Sequence, residues 1–264
     1  MQSHPTYDKI GSGYNDTRAA DPFILNQLYV LMSPTRDSLY LDVGCGTGNY
    51  TIELHNKGLN IKGLDPSQRM LDIAKRKAPH IEWILGAAEA MGINPNSFDG
   101  AVASLTIHHW NNMNKAFFEL SNILKPNASF VLFTSSPHQM RTYWLNHYFP
   151  EMMEKSILQM PGIDQITNAA ANQGLMLDAT IPYYVKTDLK DHFLYVGKER
   201  PHLYLDGNIR KGISSFSNLA FEDEVCTGLF QLEADIQSGD INKIQKSYKD
   251  SDGDYYFLRF LNKK

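Results

Sequence analysis

The order of apolar runs in the first half of this 264-residue chain predicts an α/β protein built on a doubly wound, mostly parallel sheet. Three observations carry that expectation. Short continuous apolar runs alternate with stretches of helical period. The first run ends in the glycine-rich turn Gly44-Cys45-Gly46-Thr47-Gly48, and the second ends in an acidic residue, Asp65. Continuous apolar runs suit strands whose two faces are both covered by helices.

Taken in order, Asp21 and Pro22 open a helix over 21–32, the carboxylate as N-cap and the proline at the first helical position. Ser38–Val43 is the first strand; a helix over 48–57 follows and closes at Gly58. Residues 60–64 form the second strand. Pro66 and Ser67 then open a helix whose apolar residues Met70, Leu71, Ile73 and Ala74 recur at helical spacing. Ile81–Leu85 and Ser97–Ala103 are the third and fourth strands, 112–124 is an amphipathic helix that stops before Pro126, and Ser129–Thr134 is the fifth strand. Beyond 135 the alternation blurs. Residues 136–163 are rich in Met, Tyr and Trp, and 164–173 read as a helix with Gly174 as C-cap. Leu175–Val185 is a sixth strand despite Pro182, 222–237 a helix ended by Gly239, and Asp254–Leu261 an aromatic closing strand.

Composition removes whole classes of function. With 42% hydrophobic and 11% aromatic residues the chain can build a core, so disorder is excluded. No apolar run approaches the ~20 residues of a membrane helix, and the opening MQSHPTYDKIGSGYNDTR does not read as a signal peptide. A net charge of −4 without a dense Lys/Arg cluster argues against a nucleic-acid surface. Two cysteines, Cys45 and Cys226, give neither a disulfide framework nor metal-ligand spacing, so no metal is expected and a reducing, cytoplasmic compartment fits. No internal repeat and no Gly-x-Ser-x-Gly nucleophile motif occurs.

The turn after the first strand carries the chemistry. Glycines there let backbone approach a ligand, and free N–H groups are expected at the following helix start. Ligands of open α/β sheets sit outside the carboxyl ends of the strands, where this turn lies. The alternative is a tight turn with no ligand. Asn49 stands where a dinucleotide fingerprint has its third glycine. Asp65 suits the two hydroxyls of a ribose, or else it only caps the helix that Pro66 opens.

Leu41–Gly48, then Gly63-Leu64-Asp65-Pro66-Ser67 with Met70 and Leu71, then Gly86-Ala87-Ala88-Glu89, then Ser97-Phe98-Asp99 together resemble class I S-adenosylmethionine-dependent methyltransferases, nearest to the type 11 or UbiE-like small-molecule group. The resemblance covers residues 38–135 and implies a Rossmann-like, mostly parallel seven-stranded sheet with a helical cover inserted late in the chain. It implies that Gly44, Gly46 and Gly48 line the methionine part of the cofactor S-adenosylmethionine, and that Asp42 faces its amino group. Asp65 would hold the ribose hydroxyls, Met70, after Pro66, would pack on adenine, and the Ala88 N–H would meet the ring. Ala87 departs from the family's usual Asp, leaving Glu89 or a water to take its place. Ser104-Leu105-Thr106-Ile107-His108-His109-Trp110 would pass beside the methionine moiety and reach the acceptor. There His108 or His109 either removes a proton or merely closes the pocket. Tyr7 and Tyr14 either lid the cofactor or pack the N-terminal helix. Arg18 either pairs with the cofactor carboxylate or is solvated.

The implied organisation is an N-terminal lead-in over 1–37, a cofactor core over 38–135, substrate-covering insertions at 136–163 and 186–253, and closing strands in 164–185 and 254–264. Arg210, Ser214 and Ser215 either touch substrate, with Tyr204 or Phe216 as walls, or pack a covering helix, which is the preferred reading. Met152, Met153 and Met160 are expected in packing, and Lys243, Lys246 and Lys249 on a solvated face. The expected activity is one-step methyl transfer to a small-molecule acceptor by a monomer or homodimer that has no nucleic-acid or membrane partner. Its rivals are a binding protein that no longer methylates and an NAD-dependent oxidoreductase. The missing third glycine and Ala88-Glu89 argue against the latter.

Overall fold

In the computed structural model, which describes residues 18–248 and 252–264, the expected helix start at Asp21 is seen directly. Asp21 accepts hydrogen bonds from the backbone N–H groups of Phe23 and Ile24, and Pro22 takes the first position of α1 (Pro22–Met32). The alternating units follow: β1 (Leu39–Val43), α2 (Asn49–Asn56), β2 (Asn60–Asp65), α3 (Gln68–Lys77), β3 (Trp83–Leu85), β4 (Phe98–Ser104), α4 (Met113–Ile123) and β5 (Leu124–Thr134). Ser67 caps α3 through the Met70 N–H, and Asn112 caps α4 through the Lys115 N–H.

The second half adds α5 (Pro137–Arg141), α6 (Pro150–Leu158), α7 (Ile163–Ala171) and β6 (Leu175–Tyr183). It continues with α8 (Gly207–Lys211), α9 (Ser214–Asn218), α10 (Glu222–Ser238), α11 (Ile241–Ser247) and β7 (Tyr255–Asn262). The seven strands form one sheet in the order β3-β2-β1-β4-β5-β7-β6. β1 to β5 run parallel, and β7 lies antiparallel between β5 and β6. The strand order therefore reverses between β1 and β4, and the crevice there is open at the carboxyl edge.

Alternation along the strands sends side chains to two cores. Tyr40, Val131, Phe133 and Phe257 join α1, α2 and the aromatic part of the cover on one face. Leu41, Phe130, Leu132, Leu258 and Phe260 join α4 and α7 on the other. The cover over 136–163 and 184–248 is held by aromatic contacts: Tyr143 stacks on Tyr195 at 3.8 Å, Trp144 meets Tyr204 edge-on at 5.7 Å, and the Tyr143 and Tyr204 hydroxyls are hydrogen-bonded.

Several boundaries differ from the sequence reading, two of them with a clear local cause. β3 starts at Trp83, because Ile81 is still turned back by its N–H bond to the Ala78 carbonyl. β5 starts at Leu124, which pairs with Phe98. The ladder then shifts before Gly100 meets Ser129, taking up Pro126 and the positive φ of Asn127.

Candidate active site

The carboxyl ends of β1, β2 and β4 meet at a cavity of about 640 Å³. Asp42 reaches it from the end of β1 and Gly44 and Gly46 from the turn that follows, Asp65 from the end of β2 with Pro66 and Met70 after it, and Ser104 from the end of β4 with His108 and His109 after it. Register fixes the first two ends side by side, since Asp42 lies opposite Gly63 and Val43 opposite Leu64.

The glycines do different work. A Cβ on Gly44 would stand 2.2 Å from the Thr106 hydroxyl, so the loop after β4 packs directly on this position. A Cβ on Gly46 would meet nothing within 4 Å, and its φ of +54° favours glycine on backbone grounds. Gly48 faces away from the cavity: its missing Cβ would press on the Trp83 ring at 2.5 Å, so it is the N-cap of α2 and a packing position. Gly48 is not among the residues of the cavity wall.

Four N–H groups of the turn that precedes the helix are in use. Gly44 and Cys45 both donate to the Leu64 carbonyl, Gly48 donates to the Cys45 carbonyl, and Gly46 donates to Asp65 Oδ2 at 2.8 Å. A phosphate cradle needs such groups unspent. Two buried carboxylates stand there as well. Asp42 accepts from the Thr51 hydroxyl at 2.6 Å, and burial lifts its pKa to about 7 against that hydrogen bond. Burial also raises Asp65, opposed by the N–H groups of Ser67 and Gly46. Buried acidic groups suit amino and hydroxyl partners, so the residues present fit an aminoacyl nucleoside.

The loop after β4 is held unusually. Leu105 sits at φ +53°, a region that bulky residues rarely adopt. Among the described residues, Ser104 Oγ and His108 Nδ1 are buried polar atoms without a hydrogen-bond partner. The His108 ring packs on His109 at 3.9 Å, and burial, then His109 and Arg18, push its pKa well below the usual value, so the imidazole is neutral.

Arg18 lines the cavity roof, where its guanidinium is ion-paired with Asp191 of the cover. The Tyr50 hydroxyl donates to the same carboxylate at 3.2 Å. One partner of Arg18 is thus a protein carboxylate. Asn49 bridges inward, its amide donating to the Arg18 carbonyl and accepting from Lys77 Nζ, both at 2.8 Å.

Other expected residues lie elsewhere. Ala87, Ala88 and Glu89 are outside the cavity wall; Ala87 pairs with Ala90, and Glu89 accepts from the Asn112 N–H at 3.2 Å. Tyr7 and Tyr14 lie outside the described residues. Ser214, Ser215 and Met160 do line the cavity, whereas Arg210 is turned to the Tyr204 carbonyl and Tyr204 is wholly buried. Sequence reasoning missed Asp191, Tyr50, Ser156 and Leu194. Tyr50 is near the glycine turn and was within reach; the other three carry no local signal. No described helix is long and apolar enough to cross a membrane, and among the described residues no His/Cys/Asp/Glu group is arranged to hold a metal.

A structure described as a methyltransferase from an antibiotic biosynthesis pathway of Anabaena variabilis is 33% identical. The match covers 92% of this chain and 98% of that one with a TM-score of 0.82. This chain belongs to the class I S-adenosylmethionine-dependent methyltransferases. The family profile described as "Methyltransferase domain" matches residues 41–132. A Saccharomyces cerevisiae protein named as an S-adenosylmethionine-dependent methyltransferase is 29% identical over 157 residues, 54% of this chain and 53% of that protein. The demethylmenaquinone methyltransferase of Renibacterium salmoninarum is 36% identical over 92 residues, 35% of this chain and 39% of that enzyme. The matches thus span about half or less of these two curated relatives. S-adenosylmethionine is the methyl donor of the family, and both the strand order and the two carboxylates at the glycine turn agree with membership.

Proposed function

We propose that this protein transfers a methyl group from S-adenosylmethionine to a small-molecule acceptor. The observation that supports the reading best is the meeting of the glycine turn, Asp65 and the loop after β4 at one cavity that extends beneath the cover. S-adenosylmethionine supplies an activated methyl group on a sulfonium, which passes to a nucleophile in line with the breaking bond.

In this reading Gly44 and Gly46 admit the aminoacyl end, and Asp42 accepts from its amino group. Asp65 adds ribose hydroxyls to the two N–H groups it already holds, and Pro66 and Met70 cover the base. Ser104 and His108 border the reacting end, and Arg18 with Asp191 closes the roof and excludes water. Placement and desolvation carry the chemistry. His108 and His109 are the groups proposed to receive a proton, and the low pKa of His108 confines it to acceptors more acidic than an ordinary alcohol. The insertions 136–163 and 186–253, with the N-terminal lead-in, would then choose the acceptor.

Calorimetric titration with S-adenosylmethionine and S-adenosylhomocysteine tests the reading. Micromolar binding of both is expected. Failure of both to bind at high micromolar concentration rejects it.

A further inference from the structure

The cavity wall changes chemistry along its length. Among the described residues that line it, the Asp, Glu, Lys and Arg side chains are Arg18, Asp42, Asp65 and Asp191. Asp42 and Asp65 stand at the glycine turn, and Arg18 and Asp191 neutralise one another in the roof. The other end comes from the cover, where Met140, Met160, Leu194 and Ile213 supply apolar wall, Ser156, Ser214 and Ser215 supply hydroxyls, and Gln159 and Asn218 supply neutral amides. None of these carries a charge. A charged group moved into this end loses its water and, among the described residues of this wall, meets nothing of opposite sign.

Ser156 and Ser215 are arranged to serve a neutral ligand. They are 5% and 7% exposed, with their oxygens 2.9 Å apart. The Ser156 hydroxyl also lies 2.9 Å from the Met152 carbonyl, yet it has one proton. Given to Met152, that proton obliges Ser215 to donate to Ser156, and the Ser215 oxygen then accepts from a ligand. Given to Ser215, it frees the Ser215 proton to donate. The pair therefore meets either kind of polar group without forming an ion. At the reacting end, among the described residues, no hydrogen-bond partner stands behind His108 Nδ1 to steady an imidazolium.

We infer that this end of the cavity is the acceptor subsite, that it takes an uncharged and largely apolar small molecule, and that the Ser156–Ser215 pair anchors the polar group which that molecule buries. The inference rests on the methyl-transfer reading for the meaning of "acceptor", while the subsite's preference for neutral ligands stands on the wall itself.

The test uses the full chain near neutral pH, with and without saturating S-adenosylhomocysteine, and one skeleton in three charge states: 2-naphthol, 2-naphthoate and 2-naphthylmethylammonium. Calorimetry is expected to show 2-naphthol binding about tenfold or more tighter than either ion. Ser215→Ala should weaken 2-naphthol roughly fivefold, the loss of one hydrogen bond, and leave S-adenosylhomocysteine affinity unchanged. Ser215→Asp should turn the preference toward the ammonium probe, so the idea does not hang on one variant. An ion binding as tightly as 2-naphthol overturns the inference, as does no binding of 2-naphthol or an indifferent Ser215→Ala. Selective 2-naphthol binding in a chain that fails to bind S-adenosylhomocysteine upholds the neutral subsite and removes the cofactor reading.

Discussion

At the carboxyl edge of the sheet, Asp42, Gly46, Asp65 and Ser104 reach the cavity from the ends of neighbouring parallel strands or the turn that follows one. Asp191, Ser156 and Ser215 reach it from the cover through contacts between residues far apart in sequence. Arg18 and Asp191 are 173 positions apart, and Ser156 and Ser215 are 59 apart. The first set is fixed by backbone ladders, which tolerate little change. The second is fixed by side-chain packing, chiefly the tyrosine and tryptophan contacts of the cover, which can be rebuilt without disturbing the sheet. One wall is therefore suited to an invariant ligand and the other to one that differs between relatives.

The joint between the two regions should be the most sensitive point. Arg18→Ala leaves Asp191, 1% exposed, without its cation, and breaking a buried pair from one side costs about 3 kcal/mol. Denaturant unfolding is expected to show that loss, and the Arg18→Ala, Asp191→Ala double variant should recover much of it. A double variant no better than the single one would mean that the roof is held by something other than this pair.

Next comes the sheet edge. Asp65→Ala removes a carboxylate that holds Gly46 and Ser67 and is proposed to hold ribose. Charged hydrogen bonds of this kind are worth roughly 1.5–3 kcal/mol, so S-adenosylhomocysteine affinity should fall about 10- to 100-fold while 2-naphthol binding changes little. Equal loss of both would erase the division of the cavity into two ends.

That division also sets what could be read from the residues alone. Asp21 with Pro22, the glycine turn, Asp65 and Gly239 announce themselves locally, because caps, positive φ and strand ends depend on a few adjacent residues. The packing of Gly48 against Trp83, from another strand, has no local signal, since nothing in the motif distinguishes a glycine facing a ligand from one facing an indole. Asp191 and Ser156 have no local signature, since their meaning depends on partners in distant segments. The early start of β5 was hidden by Pro126, which reads as a helix stop and here also accompanies a ladder irregularity.

A smaller effect separates the two ends by pH. Burial raises Asp42 from 3.8 to about 7, so between those values the folded protein keeps a proton that the unfolded chain has lost, and stability falls as pH rises through that window. A cationic amino group favours the ionised form, so binding it expels the proton. S-adenosylhomocysteine affinity is then expected to drop by up to about tenfold per unit as pH falls below about 7 and to level off above it. In Asp42→Asn this dependence should vanish, and 2-naphthol binding, at the uncharged end, should stay flat across the range. A slope that persists in Asp42→Asn assigns the titration to another group.

The smallest effect is confined to the cover. Glu224 of α10 reaches the start of α6, where its carboxylate accepts from the N–H groups of Glu151, at 2.6 Å, and Met152. A carboxylate at a helix N-terminus satisfies otherwise unbonded donors and opposes the helix dipole, together worth about 0.5–1 kcal/mol at a partly exposed site. Ser156 stands on the same helix, so a loosened start of α6 should be felt at the hydroxyl pair and not at the glycine turn. Glu224→Gln is expected to lower Tm by about 2 °C and weaken 2-naphthol binding slightly, with S-adenosylhomocysteine affinity unchanged. Any loss of S-adenosylhomocysteine binding in this variant would show that the cover and the sheet edge act as one unit, and the contrast between them would have to be given up.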